Sequence, residues 1–131
     1  MVYADYLTQT NIKENLALGH HYVTTFPGLA MWARKSGATS WSWMGDILAM
    51  GAGTAEVYIS YADSYDGMYI YVMKGKAGWT TEQQVYSTMV GAGNGSFTIN
   101  VNVEPGAYLR VYSREINDAN YRAYTTPIWF N

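Results

Sequence analysis

Ala107-Tyr108-Leu109-Arg110-Val111-Tyr112-Ser113-Arg114 and, after a short polar turn, Arg122-Ala123-Tyr124-Thr125-Thr126-Pro127-Ile128-Trp129-Phe130 decide the fold. In the first stretch Leu109 and Val111 point one way and Tyr108, Arg110 and Tyr112 the other. That period-two alternation is the mark of a half-buried strand. Between the stretches stand Asn117, Asp118 and Asn120, residues that tolerate left-handed turn geometry. The chain then returns as a second strand, so a terminal hairpin is expected. Pro127 has no N–H to give to a ladder and belongs at a strand edge, start or bulge. Ile128-Trp129-Phe130 is too apolar to be left in water and is expected to dock as a closing strand.

Working outward, residues 96–103 alternate most cleanly, with Phe97, Ile99, Val101 and Val103 inward and Thr98, Asn100 and Asn102 outward. Residues 55–61 place Val57, Ile59 and Tyr61 on one face, and residues 68–73 do the same with Ile70 and Val72. Residues 20–26, 29–34, 47–50 and 83–90 read as further strands. The stretch 63–67 reads as a hairpin-type loop. Residues 35–42, 74–81 and the glycine-rich 91–95 read as connections. One helix is expected over 8–18, capped by Thr8 or Asn11. With Asn11 as cap, Glu14 takes the capping-box position. Ile12 and Leu16 share a face of that helix, and Gly19 ends it. About eight short strands and one short N-terminal helix predict an all-β, antiparallel, immunoglobulin-like β-sandwich, as a single domain over 1–131.

The chain's 131 residues suit one domain that buries roughly two-thirds of its unfolded surface. Aromatic residues reach 16%, with 13 tyrosines, and charged residues only 14%. A net charge of −2 gives no basis for binding nucleic acid or an anionic membrane. No apolar run approaches the roughly 18 residues of a transmembrane helix. Residues 1–5 lack the basic and apolar regions of a signal peptide. Absence of Cys excludes disulfides and thiolate metal sites. It leaves the compartment open, an exported parent (periplasmic or extracellular) included.

Classical reaction centres are not legible. His20 and His21 are adjacent, and neighbours on a strand face opposite ways, so a strand-start pair is expected rather than a metal site. Asp63 with Asp66, and Glu115 with Asp118, fall in turns and suit turn chemistry better than acid–base catalysis. The 91–95 segment lacks the Lys-Ser/Thr of a phosphate loop, and no serine has a G-x-S-x-G setting.

Three segments carry a resemblance. Residues 15–27, Asn15-Leu16-Ala17-Leu18-Gly19-His20-His21-Tyr22-Val23-Thr24-Thr25-Phe26-Pro27, resemble a segment near the end of the catalytic domain in PHP-type (polymerase and histidinol phosphatase) metal-dependent phosphoesterases. Met44-Gly45-Asp46 resembles the Gly-Asp turn that follows there, and residues 122–130 resemble the "TNPIw" ending of those proteins. Order and spacing match from about residue 8 onward. Thr126 stands where Asn is usual, Phe26 where Gly is usual, and His20 where Arg is frequent. The family's active site resembles a cluster of His and Asp/Glu metal ligands beginning with H-x-H. This chain has only two histidines. The resemblance therefore implies the C-terminal accessory β-sandwich of such a protein, not an enzyme in itself, with no cofactor and no metal. Its implied partner is the catalytic domain of the parent.

The aromatic residues offer the one direct binding surface. Trp41 and Trp43 flank Ser42, while Tyr58, Tyr69, Tyr71, Tyr108 and Tyr112 occupy alternate strand positions. The leading expectation is that the tyrosine face packs on the catalytic domain. The alternative is a carbohydrate-binding module that uses Trp41, Trp43, Tyr69, Tyr71, Tyr108 and Tyr112 to stack sugars. On the first reading Leu7 and Leu18 would remain apolar on the same side as the tyrosines.

Overall fold

The structure, a computed structural model, describes Met1 and residues 8–25 and 27–131. The expectations placed on Leu7 and Phe26 lie outside the described residues. Helix α1 spans Gln9–Leu18. The strands are β1 (Tyr22–Thr24), β2 (Gly28–Lys35), β3 (Ser42–Trp43), β4 (Ile47–Leu48), β5 (Gly53–Ser64), β6 (Met68–Lys76), β7 (Gln83–Val90), β8 (Gly93–Val103), β9 (Ala107–Glu115), β10 (Arg122–Thr125) and β11 (Ile128–Phe130).

They form two sheets of an all-β sandwich, the fold class read from the sequence. One sheet runs β3-β2-β5-β8. In the other, β9 is central, with β6 and then β7 on one side and β10 and β11 on the other. The terminal hairpin forms as β9–β10, with Tyr124 opposite Tyr112. The second arm is broken at Thr126 and Pro127, where the missing N–H interrupts the ladder. Beyond the break β11 continues beside β9, with Trp129 opposite Tyr108. Its other edge takes β4 in a parallel pairing, Trp129 opposite Ile47. Among the described residues the other strand pairs are antiparallel.

Alternation puts Leu29, Met31, Ala33, Val57, Ile59, Val101 and Val103 of one sheet against Met68, Ile70, Val72, Leu109, Val111, Ile128 and Phe130 of the other. All are buried. Phe97 and Ile99, expected in the core, are only half-buried and pack against its margin, because β8 is an edge strand.

Two loops differ from expectation. Residues 63–67 do not close a hairpin: β5 pairs with β2 and β8, whereas β6 pairs with β7 and β9, so the chain crosses between sheets. Glu115, 2% exposed, holds this crossing by accepting the Tyr65 and Asp66 backbone N–H at 3.1 and 3.3 Å. Gly91 and Ala92 make the return crossing. Gly93 to Gly95 belong to β8 rather than to a loop. There the Tyr61 ring lies where a Cβ on Gly95 would stand.

Thr8, not Asn11, caps α1: its backbone is extended and its Oγ1 accepts the Asn11 N–H at 3.2 Å. Asn11 lies inside the helix, so Glu14 is not in a capping box. Gly19 ends the helix at φ +80°, with the His20 N–H bonded back to the Asn15 carbonyl at 2.9 Å. No helix among the described residues is long and apolar enough to cross a membrane.

Candidate functional site

The outer face of the four-stranded sheet carries an aromatic cleft. On β2 the inward residues Met31 and Ala33 are fully buried, so Trp32 between them points outward. Register places Trp43 of β3 on one side of Trp32 and Tyr58 of β5 on the other. Trp32 meets Trp43 edge-on, centroids 5.1 Å apart at 65°, and meets Tyr58 at 5.5 Å and 58°. Trp41, in the loop before β3, closes the row against Tyr58 at 6.1 Å and 61°. These four rings line a cavity of about 430 Å³.

One rim of the cleft is fixed by charge. Arg34 follows Trp32 on the same face, and its guanidinium lies over the Trp41 ring, 4.4 Å from the centroid. Its Nε donates to Glu56 Oε2 at 2.6 Å. Glu56 Oε1 also faces Ser36 Oγ and the Gly37 N–H, each at 3.4 Å. The Arg34 hydrogen bond holds the Glu56 carboxyl below the usual carboxylate range. The pair carries no net charge.

The outer face of the other sheet is flatter. Tyr71 stacks on Tyr112 at 4.7 Å and 17°, and Tyr112 on Tyr124 at 5.8 Å and 19°. Tyr69 adjoins Tyr71, and its ring lies 5.8 Å from the Arg114 guanidinium. Tyr108 packs on Trp129 and occupies the space a Cβ on Gly75 would need. The Tyr108 hydroxyl donates to Glu82 Oε1 at 2.8 Å, and Arg110 donates to both Glu82 oxygens. Arg110 first, then Tyr108, hold the Glu82 carboxyl below its usual range. That same bond raises the Tyr108 phenol.

The six residues singled out from the sequence therefore divide. Trp41 and Trp43 share one face; Tyr69, Tyr71, Tyr108 and Tyr112 share the opposite one. Tyr58 belongs with the tryptophans rather than with the other tyrosines. Trp32 escaped sequence reading because residues 29–33 are all apolar, so alternation cannot tell its two faces apart.

A third assembly gathers the three motif segments. The ring of His20 is held at Nε2 by Asp46 Oδ1 at 2.9 Å and at Nδ1 by Asn15 Oδ1 at 3.1 Å. Asn15 is oriented by its own Nδ2, which donates to the Asn11 carbonyl. Thr126 Oγ1 reaches the carbonyls of Gly19 and His21. The Gly45 N–H donates to the Pro127 carbonyl, and the Trp129 N–H to the Asp46 carbonyl. His21 keeps a buried Nδ1 without a hydrogen-bond partner. No three His, Asp or Glu side chains among the described residues are grouped to hold a metal ion. Asp118 caps its own turn through the Asn120 N–H.

In comparisons with known proteins, the chain matches no family model, no curated protein and no solved structure.

Proposed function

We propose that this sandwich is a non-catalytic accessory domain of a PHP-type phosphoesterase-like protein, supporting a catalytic barrel that lies outside these 131 residues. The observation that carries this reading is the state of α1. The helix is fixed at its C-terminal end by Gly19, His20 and Thr126, yet it buries no side chain, and Leu16 and Leu18 are 46% and 56% exposed. A ten-residue helix is marginal in water without tertiary packing. A second body against its apolar side chains would supply that packing. The residues of the resemblance also act together here, since segments 15–27, 44–46 and 122–130 join at the base of this helix. The flat tyrosine face is a second surface suited to an interdomain contact.

The reading frame upstream of Met1 is the test. An H-x-H pair followed by further His and Asp ligands is expected. Amide exchange of α1 is then expected to slow in the longer protein relative to this chain. A frame without those ligands overturns the proposal. So does phosphoester turnover by the isolated chain that EDTA abolishes.

A further inference from the structure

We propose that the cleft of Trp32, Trp41, Trp43 and Tyr58 is a binding site for a neutral saccharide, whose ring faces stack on the indoles. The site is independent of the barrel reading and lies on the opposite sheet from the tyrosine face.

Trp32 packs against the margin of the core, but Trp41, Trp43 and Tyr58 do not belong to it. Met31, Ala33, Val57 and Ile59 already fill the inner face of their sheet and are fully buried. Trp41 and Trp43 remain 36% and 37% exposed. Aromatic surface kept in water at such cost in solubility favours a ligand over packing.

Shape favours a small ligand over a protein face. The rings are inclined at 58–65° to their neighbours and border an open cleft of about 430 Å³. Ligand pockets commonly hold roughly 300–1,000 Å³. The tyrosines of the other sheet, at 17° and 19°, make a flat surface instead.

Charge narrows the chemistry. Among the described residues the ionisable side chains beside the cleft are paired with one another, Arg34 with Glu56 at the Trp41 end and His20 with Asp46 at the Trp43 end. The Arg34 guanidinium already lies over Trp41 and would repel a quaternary ammonium group from that face. What remains is a neutral molecule with apolar faces and a polar edge, which is the form of a pyranose ring. Along the same face the register sets Thr98 beside Tyr58 and Asn100 beside Glu56. Thr98 and Asn100 lie beyond the aromatic lining on the same face of the sheet, where polar groups at a sugar's edge would extend. The Arg34–Glu56 bond also holds Trp41 in place before any ligand arrives, which lowers the ordering cost of binding.

The 131-residue chain is titrated, by tryptophan fluorescence and calorimetry, with soluble gluco-, xylo-, manno-, galacto- and N-acetylglucosamine oligosaccharides and, separately, with tetramethylammonium. Saturable binding to at least one oligosaccharide is expected. Trp41→Ala and Trp32→Ala are expected to weaken it at least about tenfold, or 1.4 kcal/mol. Trp41→Phe, which keeps a stacking face, retains most of it. Tyr71→Ala, on the other sheet, leaves it unchanged. The melting temperature of each variant shows whether it folds, and Trp41→Phe carries the comparison if an alanine variant does not. No saturable response to any oligosaccharide, equal loss in Tyr71→Ala, or tighter binding of tetramethylammonium overturns the proposal.

Discussion

Gly45 lies against Gly19 so closely that a Cβ on Gly45 would stand 2.5 Å from the Gly19 carbonyl carbon and oxygen. Gly45 also has φ +97°, a left-handed conformation that side chains resist. Two backbones can approach this way only when neither carries a side chain. This contact seats the end of α1 on the turn that presents Asp46 to His20.

Gly45→Ala is therefore expected to destabilise the chain by at least about 2 kcal/mol, combining a positive-φ penalty with a backbone clash. Gly37→Ala makes the comparison: its φ is +81°, but nothing lies within 4 Å of the added methyl. Urea midpoints measure both. Equal costs would mean that the close approach to Gly19 is not a constraint.

Burial sets the second expectation. Ile70 is fully buried between the sheets, and Ile70→Ala should cost about 2–5 kcal/mol. Ile99 was expected in the core from its alternation, but it is half-buried on an edge strand. Ile99→Ala should therefore cost clearly less than Ile70→Ala. Asn100→Ala, on the solvent side of the same strand, should stay within about 0.5 kcal/mol. A cost at Ile99 matching that at Ile70 would show that the edge of the sandwich is closed.

Acid should weaken the Glu82 assembly in a defined window. Arg110 and Tyr108 hold the Glu82 carboxyl below its unfolded value. A depressed folded pKa contributes stability above the unfolded pKa, about 4.3 for Glu. That contribution is lost as the pH falls through the folded value. Glu82→Gln is expected to be less stable than the native chain at pH 7 and to converge on it toward pH 3, as read by urea midpoints. A constant gap across that range would mean the carboxylate's charge is not what Arg110 and Tyr108 hold.

The strands were legible where one face meets the core and the other meets water. Residues 55–61, 96–103 and 107–114 alternate for that reason, and Val57, Ile59, Val101, Val103, Leu109 and Val111 are buried as read, whereas Tyr61, Phe97 and Ile99 are only half-buried. Pairing was less legible. Residues 63–67 have the composition of a hairpin loop whether the chain turns within a sheet or crosses to the other. What decides is that Ile59 and Ile70 face one core from opposite sides. The cleft was half-legible: Trp41 and Trp43 stand out in a polar stretch, whereas Trp32 is hidden in an apolar run until its pairing with Tyr58 fixes its face. The His20–Asp46 contact joins residues 26 apart, and no local signal in the chain announces it.

Thr126 ties the last strand to the end of the helix. Its hydroxyl lies within hydrogen-bond reach of the carbonyls of Gly19 and His21, more than a hundred residues away in sequence. Those carbonyls sit where α1 gives way to β1; the Gly19 carbonyl also accepts the His21 N–H at 2.8 Å, and the His21 carbonyl faces the Thr126 N–H at 3.5 Å. Thr126→Val keeps the shape of the side chain and removes the hydroxyl. It is expected to raise local opening of residues 15–18 about tenfold in amide exchange, the equivalent of one hydrogen bond of roughly 1–1.5 kcal/mol. Exchange in the centres of β5 and β6 should not change, because those amides open only on global unfolding. Thr126→Asn distinguishes the hydrogen bond from the methyl contact. An amide supplies two N–H donors in place of the single hydroxyl. Protection of α1 should therefore survive in Thr126→Asn and fall in Thr126→Val. If Thr126→Val keeps the protection and Thr126→Asn loses it, the helix is held by the packing of the Thr126 methyl rather than by its hydroxyl.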